Sequence, residues 1–212
     1  MRIHKHRSRD MRGFTLTEAA IVLGIVGLIL GAIWAAASAV YDNMKSKRAN
    51  EEILQVVQAV RSLFASTNTT GSANGSILTS IITSGVFPSD MAPVATSASP
   101  VNNPWNVGST TGSAPNGGTV DLFSAQANAL GDAFTIVFTN LSQAACIKVF
   151  TSNAGAPGLV GAASSGAALA TAGTPTVKLN IVNNTIPLAT ANTLCPNATN
   201  TNVAALKFML KS

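Results

Sequence analysis

The sequence predicts an α+β protein in which a long N-terminal α-helix packs on a globular domain with an antiparallel β-sheet. Two observations predict the helix: an uncharged run of 22 residues, Ala19 to Val40, and an apolar stripe at helical spacing beyond it. Separated runs of β-branched and aromatic residues in the second half of the chain predict the sheet. One membrane segment and one globular domain is the natural division of the 212 residues.

The chain begins with a basic stretch. Five of the 13 Lys and Arg residues lie in the first twelve positions, against one acid, Asp10. From Phe14 onward eight basic residues nearly balance seven acids, so the net charge of +5 belongs mostly to this stretch. The chain has little aromatic content for base stacking, which argues against nucleic acid as its main partner. Weak nucleic-acid binding through Lys45, Lys47 and Arg48 stays open.

The uncharged run is long enough to cross about 30 Å of hydrocarbon as a helix. Basic residues before it favour a cytoplasmic leader. A secretory signal places its apolar core before the cleavage site, whereas cleavage after Gly13 would remove only the basic leader and leave the helix in place. A plain signal anchor is the alternative interpretation, but it does not explain Glu18.

Glu18 is a carboxylate at the start of the apolar segment, where burial in lipid is costly unless the charge is paired or neutralised. A tolerated interfacial acid near the helix end is the alternative. If the chain is cleaved between Gly13 and Phe14, the new α-amine of Phe14 is positive. In an assembly of parallel helices, Glu18 of one subunit would then neutralise Phe14 of its neighbour and set the axial register.

The GFTLTE motif of residues 13–18, followed by an apolar helix, resembles the type III signal of type IV prepilins. The resemblance implies that prepilin peptidase cleaves between Gly13 and Phe14, that Phe14 becomes N-methylated and that Glu18 is required for assembly. It also implies a pilin fold, inner-membrane assembly machinery and a homopolymeric pilus filament. The precursor would lie in the inner membrane and the assembled subunit in an extracellular pilus.

The apolar run contains three glycines, Gly24, Gly27 and Gly31. Gly27 and Gly31 have the small-xxx-small spacing that permits close helix approach. Tight packing inside a filament, local unwinding and tolerated glycines in a lipid-facing helix are the three interpretations of these residues.

Beyond Val40 the chain turns polar without a helix stop, and four apolar residues then recur at helical spacing: Ile53, Val57, Val60 and Phe64. We expect the helix to continue to about Ser66, with this stripe facing the rest of the domain. The expected organisation is a cleaved leader at 1–13, a transmembrane and assembly helix at 14–40, an amphipathic helix at 41–66 and a globular α+β domain at 67–212.

Shorter elements follow. A polar loop is predicted at 67–75, then a short helix capped by Ser76, running to Ser84 and closed by Gly85. The stretch 88–118 is rich in turn residues and predicts irregular structure. Strands are predicted at 119–123, 134–139, 176–182 and 203–210. The Gly-Ala-Ser-rich stretch 152–174 has no clear assignment.

A second short helix, capped by Ser142, should carry Cys146 and turn Ile147 and Phe150 inward. Cys146 and Cys195 lie in the part expected outside the membrane, where oxidation is allowed. A disulfide between them is predicted, and it would close a loop of about 50 residues, worth roughly 4 kcal/mol in the chain-entropy model. Two buried free thiols are the alternative. No metal site is expected, because both histidines lie in the leader.

The globular half resembles that of type IVb pilins, including the PilS-like and toxin-coregulated groups. The resemblance rests on Asn103-Pro-Trp105, the strand at 134–138, the LSQAAC segment of residues 141–146 and the late Cys195. The thirteen-residue leader and the first mature residue, Phe14, depart from the usual type IVb pattern.

Catalytic motifs are absent from the sequence: it has no HExxH, Walker loop, nucleophile elbow or CxxC. A carboxylate pair would have to come from Asp90, Asp121 and Asp132, which are more typical of turns and caps. We therefore expect no enzyme activity and no cofactor. The predicted function is the major structural subunit of a type IV pilus that serves adhesion, aggregation or conjugative contact, with a host or bacterial surface receptor as a further partner.

Two other functions stay open. A minor pilin or a type II secretion pseudopilin would share the N-terminal signal. A membrane-anchored periplasmic binding module would have the helix but form no polymer.

Overall fold

The computed structural model describes residues 15–71, 75–92, 101–106, 117–165, 179–198 and 201–211. The chain divides into two units, of which the first ends at Tyr41 and the second begins at Asp42. The predicted leader at 1–13 and Phe14 lie outside the described residues.

Helix α1 spans Leu16–Leu63 in 48 residues. It begins after Thr15, whose Oγ1 accepts a hydrogen bond from the backbone N–H of Glu18 at 3.3 Å, as an N-cap does. Its end comes before the predicted Ser66. Asn68 has a left-handed φ of 56° and donates its N–H to the carbonyl oxygen of Phe64 at 2.8 Å, which closes the helix.

The second unit contains an antiparallel sheet in its described part. Its strands are β1 (Val101–Asn102), β2 (Thr119–Ala125), β3 (Ala133–Leu141), β4 (Leu159–Ala163) and β5 (Asn202–Met209). The five strands pair in the order β1-β2-β3-β5-β4, and every pair is antiparallel. In the central pair, Phe134 lies opposite Phe208 and Ile136 opposite Leu206. Three of the predicted strands, those at 119–123, 134–139 and 203–210, correspond to β2, β3 and β5.

One face of the sheet packs against the second-unit part of α1. Ile53, Val57 and Val60, three residues of the predicted stripe, are at most 3% exposed and belong to one apolar core. The sheet residues of that core are Leu122, Phe134, Ile136, Phe138, Leu206 and Phe208. Each fully buried large apolar side chain contributes about 1.5–3 kcal/mol, so this interface contributes to the stability of the second unit. The predicted α+β class, with the sheet packed on the helix, is confirmed.

Helix α3 (Gln143–Asn153) begins as predicted, because Ser142 Oγ accepts a hydrogen bond from the backbone N–H of Ala145 at 3.3 Å. Phe150 is buried in the core and Ile147 packs against it with partial exposure. Cys146 forms the predicted disulfide with Cys195. Cys195 directly follows helix α4 (Leu188–Leu194). The bond joins residues 49 positions apart and attaches α4 to α3.

The predicted helix capped by Ser76 is only partly correct. Its place is taken by α2 (Leu78–Ile81) and a 3₁₀ turn at Ile82–Ser84, closed by Gly85 with a φ of 71° as predicted. Ser76 is not the N-cap, because it pairs with Phe123 in an antiparallel bridge and its Oγ donates to Asp121 Oδ1 at 2.9 Å. The N-cap is Ile77, which has no side-chain capping bond.

The strand predicted at 176–182 is wrong where the structure describes it, at 179–182. Leu179 makes a single parallel bridge to Gly161 of β4, and Asn180 then adopts a φ of 61°, which breaks an extended chain. Residues 176–178 lie outside the described ranges. The unassigned stretch 152–174 contains β4, and α4 was not predicted at all.

Candidate functional site

The candidate site is the apolar part of α1 in the first unit. Every described residue up to Tyr41 is exposed, including Leu16 at 88%, Leu28 at 76% and Trp34 at 76%. An 18-residue window of α1 has a mean hydropathy of 2.5 and none of it is buried, so the helix could cross a membrane by length and composition. A helix that is apolar on all sides is stable only when lipid or other protein surrounds it.

Glu18 lies in the first turn of this helix and is exposed. Thr15 and Glu18 have the spacing of a capping box, and the backbone N–H of Glu18 donates a hydrogen bond to the Thr15 hydroxyl. A negative charge in the first turn also interacts favourably with the helix dipole, typically by about 0.3–1 kcal/mol. Glu18 therefore has a local role at the helix start. The predicted pairing of Glu18 with the amine of Phe14 stays a prediction, since Gly13 and Phe14 lie outside the described residues.

The three glycines of the apolar run are not required by packing within the chain. A Cβ atom built at Gly24, Gly27 or Gly31 meets nothing within 4 Å. Alanine would fit at each position and is a better helix former by about 0.8–1.0 kcal/mol. Any requirement for glycine here would therefore come from groups outside the described part of the chain.

The predicted disulfide residues belong to the second unit, where Cys146 and Cys195 are both 0% exposed. The bond joins α3 to α4 within the apolar core. Its role is therefore structural.

The three aspartates considered for a carboxylate pair, Asp90, Asp121 and Asp132, contact different groups. Asp132 accepts hydrogen bonds from three backbone N–H groups in the turn between β2 and β3, those of Ala127, Asn128 and Ala129, at 2.6, 2.7 and 3.0 Å. Asp121 accepts from Ser76, and Asp90 pairs with Arg48. Asp132 thus stabilises a turn, as the sequence suggested, whereas Asp90 forms an ion pair. In the described part of the chain, no cluster of three His, Cys, Asp or Glu residues could hold a metal ion.

Glu52 was missed by the sequence analysis. It is 4% exposed on the apolar face of α1, between the buried residues Ala49 and Ile53. Arg48 donates from Nε to Glu52 Oε1 at 2.9 Å and from Nη2 to Asp90 Oδ2. Position 52 lies one residue before Ile53, about 100° around the helix from it and at the edge of the predicted stripe, so the stripe alone did not predict its burial. Arg48, one of the three cations considered for weak nucleic-acid contact, is thus bound by two carboxylates of the same chain.

A groove of about 440 Å³ lies at the end of α1, beside α2 and the loop at 67–71. Leu63, Phe64 and Ile81 form its apolar floor. Hydroxyl groups of Thr67, Thr69, Thr70, Ser80 and Ser84 line it as well.

Comparisons with known proteins found similarity to solved structures. No protein-family model matches the chain, and no curated protein sequence matches it. Among solved structures, the chain is similar to TcpA, a type IV pilin from Vibrio cholerae El Tor biotype, with 17% sequence identity and a TM-score of 0.49. The similarity covers 77% of this chain and 98% of that protein.

Proposed function

We propose that this chain is the precursor of a structural subunit of a type IV pilus, exported and polymerised through its N-terminal helix. The observation that carries the proposal is the exposed apolar helix with Glu18 in its first turn. Lipid alone would cover the apolar side chains, but burial of the unpaired Glu18 carboxylate in lipid would cost free energy. A bundle of parallel copies covers the same side chains and also supplies a partner for the charge.

The partner is the α-amine of Phe14, which exists only after cleavage between Gly13 and Phe14. In the bundle, Glu18 of one subunit pairs with Phe14 of its neighbour, and the pair fixes the axial register. Burial of the apolar helices against each other, outside lipid, supplies the driving force for polymerisation. N-methylation of Phe14 follows cleavage and retains the positive charge of the amine.

The proposed partners follow from this assembly. Prepilin peptidase and the inner-membrane assembly machinery act on the precursor, and copies of the chain itself form the filament. The precursor lies in the inner membrane and the polymer outside the cell, with the second unit as the outer wall. Residues 1–13 are the leader, 14–40 the assembly helix, 41–66 the amphipathic helix and 67–212 the globular domain. We place the subunit among major pilins of type IVb, PilS-like, with adhesion, aggregation or conjugative contact as the role of the filament.

The first test is intact mass and N-terminal sequencing of protein sheared from the cell surface. We expect a chain that starts at Phe14, carries one added methyl group and lacks the two thiol hydrogens of the reduced form. A chain that starts at Met1, or that is found only in the inner membrane, would overturn the proposal.

The second test compares Glu18→Gln with a matched control, Glu51→Gln, which removes an exposed charge from the second-unit part of α1. We expect Glu18→Gln to keep leader removal and lose surface filaments, and Glu51→Gln to keep both. Normal filaments in Glu18→Gln would contradict the assembly mechanism. Normal membrane localisation of the wild type without any polymer would favour an anchored periplasmic binding module, for which the groove at the end of α1 is the candidate binding site.

The abundance of the chain in sheared filaments separates the related subunit types. A major pilin forms most of the sheared protein, whereas a minor pilin is a trace component. A pseudopilin of type II secretion stays in the cell envelope.

A further inference from the structure

The carboxylate of Glu52 is buried in an apolar environment, and only one of its two oxygens accepts a hydrogen bond. Its Oε1 accepts the hydrogen bond from Arg48 Nε at 2.9 Å. Its Oε2 is buried and has no hydrogen-bond partner among the described residues. An ionised oxygen in that position is costly, because nothing replaces the water it has lost.

Arg48 connects Glu52 to a second carboxylate on another segment. Its Nη2 donates to Asp90 Oδ2, and Asp90 lies in the turn at 88–92. The two carboxylates are in different surroundings, since the side chain of Glu52 is 5% exposed and that of Asp90 is 44% exposed. Water can stabilise the charge on Asp90, but the charge on Glu52 depends on Arg48.

The charged groups around Glu52 do not offset the increase in its pKa that burial causes. Burial raises the pKa of Glu52 to about 7 although its bond to Arg48 lowers it, and the negative charges of Asp90 and Glu51 raise it further. Arg48, Asp90 and Glu51 are the charged groups that act on Glu52 in the described part of the chain. A proton on Oε2 would remove the buried charge and leave Oε1 free to accept from Arg48.

From this geometry we infer that Glu52 is a proton-binding site that controls how Arg48 connects α1 to the turn at 88–92. When Glu52 is ionised, Arg48 is shared between Glu52 and Asp90. When Glu52 takes up a proton, the charge of Arg48 is balanced by Asp90 alone. This inference goes beyond the proposed function and does not depend on polymerisation.

The raised pKa of Glu52 determines how this residue changes the stability of the folded chain with pH. The folded chain holds the Glu52 proton more tightly than the unfolded chain, whose glutamates have an ordinary pKa near 4.5. The contribution to stability is therefore fully present below about pH 4.5 and is lost as the pH rises through about 7. Between pH 8 and pH 5 this group alone should raise the folding equilibrium constant by about 70-fold.

A carboxyl titration tests the site directly. The chain has three glutamates, Glu18, Glu51 and Glu52, so a full chain in detergent micelles that is ¹³C-labelled only at the glutamate side-chain carboxyls gives three signals. Single Gln variants assign them, and if Glu52→Gln fails to fold, Glu18→Gln and Glu51→Gln assign the third by elimination. We expect the Glu52 signal to titrate near pH 7. A midpoint at or below about 4.5 would overturn the inference.

The connection through Arg48 has its own readout. In the same samples, the Arg48 Nε–H signal should shift with the Glu52 midpoint, and it should keep doing so in Glu51→Gln. In Glu52→Gln the shift should disappear, together with the roughly 70-fold change in the folding equilibrium. An Arg48 signal that does not move while Glu52 titrates would show that the acid is buried but does not control the contact.

Discussion

Arg61, in the last turn of α1, donates a hydrogen bond from Nε to the backbone carbonyl oxygen of Met209 at 3.0 Å, which ties the helix to the end of β5. Its Nη2 also donates to the carbonyl oxygen of Pro157 at 2.9 Å, just before β4. Burial lowers the pKa of Arg61, and no carboxylate faces it among its described contacts. A single side chain thus connects the helix to two neighbouring strands.

Arg61→Met should therefore destabilise the second unit. Methionine keeps the apolar stem but leaves two carbonyl oxygens without their charged donor, and hydrogen bonds to charged groups are worth about 1.5–3 kcal/mol. Chemical unfolding of the full chain in detergent measures the loss. Lys211→Met, at an exposed position after β5, is the control and should change stability by less than about 0.5 kcal/mol. Equal stability of Arg61→Met and the wild type would refute the role of Arg61.

Removal of the disulfide should cost roughly 4 kcal/mol, because the unfolded chain regains the freedom of a loop closed over 49 positions. Cys146→Ser should unfold at lower denaturant concentration than the wild type under oxidising conditions. Leader removal should stay normal, since it acts on the other end of the chain. Reducing agent provides the control: it should destabilise the wild type and leave the Cys146→Ser, Cys195→Ser double variant unaffected.

Gly131 should tolerate no side chain. It has a φ of +74°, and an added Cβ would lie 2.4 Å from Thr69 Oγ1 and 2.7 Å from the carbonyl oxygen of Gly71. The left-handed conformation alone costs a non-glycine residue about 1–2 kcal/mol, and the contact with backbone adds to this. Gly131→Ala should lower the melting temperature, whereas Gly75→Ala, with open space around its Cβ, should not. Similar melting temperatures for the two variants would contradict the close packing of Gly131 against Thr69 and Gly71.

Gly27 and Gly31 allow a test of packing between subunits. Because their Cβ positions are open within the chain, the double alanine variant should leave the isolated subunit at least as stable as the wild type. If the helices pack closely in a filament, the same variant should form fewer filaments, counted by electron microscopy of sheared material. A normal filament yield would show that the glycines are merely tolerated.

Asp90→Asn should shift the titration of Glu52. The negative charge of Asp90 raises the pKa of Glu52, and Asp90 also competes for Arg48. Without that charge the pKa of Glu52 should fall, so the folding equilibrium should gain less than about 70-fold between pH 8 and pH 5. The ¹³C-carboxyl titration of the variant measures the midpoint directly. An unchanged midpoint would mean that Asp90 is not coupled to Glu52.

Local patterns in the sequence were sufficient for several elements. The strands β2, β3 and β5 have alternating or β-branched composition, and Ser142 has the chemistry of an N-cap, so each could be recognised from neighbours in the chain. Local patterns did not predict β4, because its sequence LVGAA does not alternate between apolar and polar residues and all five positions are buried. The local patterns also failed at 179–182, where Asn180 turns the chain despite its β-like neighbours.

The apolar N-terminal helix, its acid at Glu18 and the α+β class could be predicted from the sequence, because these depend on composition and on spacing within a few turns. The burial of Glu52 and the sharing of Arg48 between Glu52 and Asp90 became evident only from the packing of the folded chain. Asp90 lies 42 residues beyond Arg48, and no local pattern relates the two. The state of a buried charge depends on which distant groups replace its water, and the chain brings those groups together only when it folds.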